Sequence, residues 1–136
     1  MVDSLDYIKA EQYLLNKPET TLDFPFGEDV KVFKVKNKMF ATLAIGKMGK
    51  GDGKSDTSKK VDWWMNLKCD PDEAVMLRDI FPSIIPGYHM NKRLWNTVIL
   101  DGSIPQGEIE RMIDNSFKLV VAKMTKKEQQ SILIRL

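Results

Sequence analysis

The sequence is poor in the residues that most catalytic and metal centres need. Of its 136 residues one is cysteine, Cys69, and one is histidine, His89. A lone thiol can neither close an internal disulfide nor gather a thiolate metal cluster. A lone imidazole restricts acid–base and metal chemistry in the same way. These scarcities argue against zinc sites, Ser-His-Asp triads and redox pairs, so no cofactor and no catalytic role are expected. No apolar run approaches the roughly 18 residues that a membrane span requires. The opening segment Met1-Val2-Asp3-Ser4-Leu5-Asp6 carries acids where a secretory signal would carry cations. The expectation is a cytoplasmic protein with no membrane partner, its oligomeric state open with a monomer favoured.

The rest of the composition, 43% hydrophobic and 29% charged, is that of an ordinary globular chain long enough to bury one core. A single domain over residues 1–136 is expected. The net charge of +2 hides a segregation. Residues 1–30 hold seven acids and two lysines, whereas residues 31–68 hold ten lysines and three acids. Such blocks are either solvated faces, complementary to each other, or an electrostatic footprint for a polyanion.

Along the chain, Asp3 or Ser4 can cap a first helix with Leu5, Ile8, Gln12 and Leu15 on one face, stopped at Lys17-Pro18. Phe24-Pro25-Phe26-Gly27 reads as a turn whose aromatics pin it to the core. Val30–Val35 and Met39–Ile45 read as a hairpin, with Lys36-Asn37 supplying the tight turn because Asn tolerates positive φ. The near-continuous apolarity of the second strand predicts burial on both faces. Residues 46–60, with four glycines and five lysines, predict a mobile loop. A strand follows over residues 61–68. Asp70-Pro71-Asp72-Glu73 then opens a helix with a cap, a first-turn proline and a capping-box glutamate. Residues 84–90 read as a linker and Trp95–Leu100 as a strand. Ile109, Met112, Ile113, Phe117, Val120, Val121 and Met124 form one apolar helical stripe. Thr125 and Glu128 form a capping box for a last helix that buries Ile132, Leu133 and Leu136. The order implies an α+β fold: a mostly antiparallel β-sheet with helices packed against it and helices at both termini.

Few motifs carry chemistry. Met48-Gly49-Lys50-Gly51-Asp52-Gly53-Lys54-Ser55 imitates a phosphate-binding loop, but Met48 stands where the motif needs glycine and no helix pattern follows Ser55. Cys69 precedes a helix N-terminus, which could activate a thiol, yet Asp70 and Asp72 oppose a thiolate. The acidic first helix, with Asp3, Asp6 and Glu11, either solvates a surface or weakly binds a hard cation. Tyr88-His89-Met90-Asn91-Lys92-Arg93-Leu94-Trp95 mixes cations, amides and aromatics. These can neutralise phosphates, read base edges and stack on bases, or else serve the core.

Three ordered stretches together resemble the MmcQ/YjbR family. They are Phe24-Pro25-Phe26-Gly27 with Val32-Phe33-Lys34-Val35 and Lys38-Met39-Phe40, then Asn66–Pro71, then Pro86–Lys92 continuing through Trp95–Val98 to Leu100-Asp101-Gly102. The likeness runs over roughly residues 10–130. Ser116-Phe117 stands where the family usually has Ser-Tyr, and Met124-Thr125 where it has Leu-Pro. The loop at 46–60 looks like an expansion. The resemblance implies a CyaY-like (frataxin-like) fold and a double-wing DNA-binding protein with no catalytic residues to carry over. On that reading DNA is the partner. Lys31, Lys34, Lys36 and Lys38 of the hairpin and Lys47, Lys50, Lys54, Lys59 and Lys60 of the loop would contact phosphates, with His89, Asn91, Lys92 and Arg93 making closer contacts. The alternatives are an interaction module for an acidic protein and a frataxin-like metal binder using the acidic N-terminal helix.

Overall fold

The structure is a computed structural model that describes residues 2–46 and 62–134. The elements run α1 (Val2–Leu15), β1 (Thr20–Asp23), β2 (Val30–Val35), β3 (Lys38–Ile45), β4 (Trp63–Lys68), α2 (Pro71–Ile80), β5 (Ile84–Pro86), β6 (Trp95–Leu100), α3 (Gln106–Val121) and α4 (Lys126–Leu133). The strands form one six-stranded sheet in the order β1-β2-β3-β4-β6-β5, with every neighbouring pair antiparallel. The expected α+β architecture is therefore observed.

Period-two alternation sorts the strand residues between two faces. Phe33, Ala41, Leu43, Met65, Leu67, Val98 and Leu100 join Ala10 and Leu14 of α1, the α3 stripe and Ile132 of α4 in one core cluster. The stripe is buried as expected at Ile109, Met112, Ile113, Phe117, Val120 and Val121. Lys36 and Asn37 both adopt positive φ, 47° and 65°, which is what a two-residue hairpin loop demands. Asp70 accepts the amides of Asp72 and Glu73 at 3.2 and 3.3 Å, and the Thr125–Glu128 capping box is reciprocal. The Glu73 carboxylate is not spent on the cap; it takes Arg111 of α3 at 2.7 Å instead.

Other expectations are corrected. β1 and β5 are edge strands that local pattern did not reveal, because each is short and takes its ladder hydrogen bonds from the longer strand that follows it. Helix α1 buries Ala10 and Leu14 and packs Tyr7 and Tyr13 against the core, while Ile8 and Leu15 stand 46% and 43% exposed. Its buried face is thus rotated from the one that the apolar spacing suggested. Phe24 and Phe26 do not pin their turn; they are 44% and 68% exposed. Leu133 is exposed, and Leu136 lies outside the described residues. The middle of β3, Phe40–Leu43, is buried on both faces as expected. Helices cover one face, and the other, open face carries a cleft bordered by Thr42 and Ala44.

Candidate functional site

The antiparallel register brings two candidate groups to the same end of the sheet. Ala41 pairs with Leu67, Lys68 with Trp95 and Pro86 with Asn96. The β2–β3 turn and the β5–β6 connection therefore leave the sheet side by side, their inner strands β3 and β6 separated by β4 alone. Two strand spacings make that roughly 10 Å. The chain on either side of residues 47–61 ends at Ile45 and Trp63, which pair at the opposite end of the sheet. Lys47, Lys50, Lys54, Lys59 and Lys60 themselves lie outside the described residues, as does the phosphate-loop-like stretch from Met48 to Ser55.

The hairpin lysines are not equivalent. Lys31 reaches the Tyr7 hydroxyl and, at 2.7 Å, the carboxylate of Glu11, with its ammonium over the Tyr7 and Trp63 rings. Burial pulls its pKa down, but the Glu11 carboxylate and the Tyr7 hydroxyl outweigh that and leave it above the ordinary lysine value. Lys34 pairs with Asp23 at 3.2 Å and Lys36 with Glu19 at 2.9 Å. The Phe24 amide and then Lys34 hold the Asp23 carboxyl below its usual range. The acidic first block of the sequence is thus the counter-charge of the basic hairpin at these three positions. Lys38 is exposed and engages no acid among the described residues.

In the β5–β6 connection His89 is exposed, holds a φ of 60° and lies with its ring 4.1 Å from that of Tyr88. The Asn91 side chain is spent locally, accepting the amides of Arg93 and Leu94 at 3.0 and 3.2 Å. Lys92 donates to the Gly87 carbonyl at 2.8 Å, which folds the loop back on itself. Arg93 is exposed, and among the described residues no acid pairs with it. Two cations that sequence reasoning missed belong to the same region. Lys68 ends β4 at this edge, and burial followed by the neighbouring ammonium of Lys123 pushes its pKa below the lysine value. Arg78 braces the loop from α2, donating to the Lys92 carbonyl at 3.2 Å and to Asn96 at 3.0 Å.

The open face of the sheet holds a cleft of about 660 Å³. Trp64 and Tyr88 meet edge to face there, with ring centroids 5.4 Å apart. The Tyr88 backbone is tied to the sheet by polar side chains. Thr97 Oγ1 accepts the Tyr88 amide at 2.8 Å and donates to Asn66, whose side-chain amide donates to the Tyr88 carbonyl at 3.4 Å. Thr42, Asn66, Trp64 and Thr97 alternate with core residues along their strands. That alternation was the available signal for this face, masked by the apolarity of β3 as a whole.

The other chemical candidates are placed as follows. Cys69 is buried beneath α2, and its thiol is pushed up to about 11, first by burial and then by the carboxylates of Glu73 and Asp70. Among the described residues no three His, Cys, Asp or Glu side chains gather as a metal site, and Glu11 is held by Lys31. No helix among them is long and apolar enough to cross a membrane.

Comparison with known proteins agrees with this architecture. The YjbR family model matches residues 15–119. The uncharacterised protein YbdF of Escherichia coli O157:H7 is 32% identical over 123 residues, covering 90% of each chain. The uncharacterised protein YjbR of Escherichia coli K12 is 35% identical over 72 residues, 53% of this chain and 60% of that one. Among solved structures, Deinococcus radiodurans protein DR2400 superposes with a TM-score of 0.73 at 32% identity, covering 90% of this chain and 83% of that one. A Pseudomonas syringae protein gives a TM-score of 0.67 at 33% identity, covering 80% and 93%. With the family model spanning most of its length and YbdF matched nearly end to end, the chain belongs to the YjbR family.

Proposed function

We propose that this protein is a non-catalytic DNA-binding module that grips phosphates with the cations at one end of its sheet. The observation that carries this reading is the collection of Lys38, Lys68 beside Lys123, Lys92 and Arg93 around the two projecting connections, with no carboxylate paired to any of them among the described residues. Ammonium groups held together without counter-charge repel each other, and a polyanion relieves that repulsion. Lys31, Lys34 and Lys36 contribute less, because each already has an acid. Lysine on phosphate carries no base information, so the contacts are largely independent of sequence. The buried, high-pKa thiol of Cys69 supports the non-catalytic part of the reading.

The test is fluorescence anisotropy of a labelled duplex across a salt series. Log affinity should fall linearly with log salt, with a slope of roughly −0.9 for each phosphate engaged. The double replacement Lys38→Glu with Arg93→Glu should weaken binding by about tenfold or more and flatten the slope by about two contacts. Lys34→Gln should change it little. No binding at low salt would end the DNA reading. A pull-down that retains a protein after nuclease treatment would move the same cations to an acidic protein partner.

A further inference from the structure

The cleft on the open face has a charge pattern opposite to that of the sheet end described above. Its volume, about 660 Å³, falls within the roughly 300–1,000 Å³ typical of small-molecule sites. Its walls are largely apolar, and the aromatic and thioether side chains of Phe26, Met39, Trp64, Tyr88 and Met90 are among them. Phe26 is 68% exposed, an apolar ring held in water at the rim. Inside, Asn66 offers a side-chain amide.

The charged groups of the lining decide what the cleft can accept. Glu28 and Asp29 are exposed at the β2 end, and among the described residues neither has a hydrogen-bonded or ionic partner. The one lysine of the lining, Lys31, already has its charge balanced by Glu11 at 2.7 Å. Among the described residues, the net charge at that mouth is therefore negative. An anionic ligand, or a nucleic-acid strand following the face, would bring its charge against two carboxylates that have no partner among the described residues. A cation would gain from them, and also from the faces of the aromatic rings.

We propose that the open face is a second binding site, for a small flat apolar molecule bearing one positive charge. Its apolar body lies against Trp64, Tyr88 and Met39, and its cationic group faces Glu28 and Asp29. The site is distinct from the cation cluster at the sheet end: it uses the opposite charge, and none of Lys38, Lys68, Lys92, Arg93 and Lys123 lines it.

A pair of probes matched in shape and opposite in charge tests this: 2-naphthylmethylammonium and 2-naphthoate, titrated into the intact protein and followed by NMR. The ammonium probe should saturate, shifting the Trp64 indole N–H and the Thr42 and Ala44 amides, and should bind about tenfold more tightly than the naphthoate. Glu28→Gln with Asp29→Asn changes only exposed side chains. It should reduce ammonium affinity by about threefold to tenfold and erase the preference. Ala44→Trp, which fills the cleft, should abolish saturation, and Phe26→Ser at the rim should weaken binding with the fold intact. Naphthoate binding as tightly as the ammonium probe, saturating shifts confined to other surfaces, or no saturation by either probe would overturn the proposal.

Discussion

Ser116 Oγ donates to the carbonyl of Phe40 at 2.6 Å and accepts the amide of Lys68 at 2.9 Å, so that one buried hydroxyl of α3 joins two neighbouring strands. The site it serves is a defect in the ladder. Phe33 pairs with Ala41 but Lys34 with Met39, which leaves Phe40 as the extra residue of a β-bulge. The bulge turns the Phe40 ring toward α3, where it meets Phe117 edge on at 5.1 Å. Ser116 thus satisfies the backbone groups that the bulge and the end of β4 leave without a ladder partner.

Replacing Ser116 with Ala should therefore cost more than the loss of a surface hydroxyl. It strands an acceptor at Phe40 and a donor at Lys68 in a buried setting, at a cost of about 1–3 kcal/mol. Urea denaturation measures this. An unchanged midpoint would mean that these groups find other partners.

Gly46→Ala should disturb the same sheet from the opposite end. A Cβ on Gly46 would lie 2.0 Å from Nε1 of the Trp64 indole and 2.3 Å from Cε2. The ring cannot stay where it is, and overpacking of this kind costs about 1–3 kcal/mol. The variant should show both a lower denaturation midpoint and a shifted Trp64 indole resonance. A shift without destabilisation would show that the ring has an alternative position of similar energy.

Alkaline pH should release the clamp between α1 and α3. Tyr13 donates to both carboxylate oxygens of Asp114, at 2.9 and 3.0 Å, and Lys17 reaches the same group. Burial, and then the bond to Asp114, push the Tyr13 hydroxyl up to about 12 from its ordinary 10. The folded protein therefore holds this proton after the unfolded chain has released it. The stabilisation is complete below pH 10 and is lost as pH rises toward 12. Lysines titrate in the same window in any variant, so the readout is the difference between wild type and Tyr13→Phe. That difference should shrink over this interval, and a constant difference would rule the clamp out as a pH-sensitive element.

Cys69 should resist alkylation. With a thiol pKa of about 11, its thiolate fraction at pH 8 is roughly two orders of magnitude below that of a free cysteine. Iodoacetamide modification, followed by mass spectrometry, should be slow in the folded protein and rise to the free-thiol rate in urea. Rapid labelling of the folded protein at pH 8 would restore Cys69 as a candidate nucleophile.

What the sequence determined by itself was whatever depends on neighbours along the chain. The α3 stripe, the Asp70 and Thr125 caps and the Lys36-Asn37 turn are set by residues three or four apart, and each forms where local chemistry placed it. Family-specific runs such as Asn66–Pro71 and Pro86–Lys92 also identified the fold, because they combine many positions at fixed separations. Tertiary structure decided the rest. An edge strand of three or four residues, β5 or β1, has no stability until a longer strand supplies its ladder. Which face of α1 turns inward depends on the space left by α3 and the sheet, and small Ala10 fits there whereas Ile8 is left outside. The functional surface follows the same logic. Lysine types can be counted in a sequence, but whether a lysine is free depends on Coulomb partners that folding brings from elsewhere. Glu11, Asp23 and Glu19 neutralise Lys31, Lys34 and Lys36, while Lys38, Arg93 and the Lys68–Lys123 pair have no acid against them among the described residues.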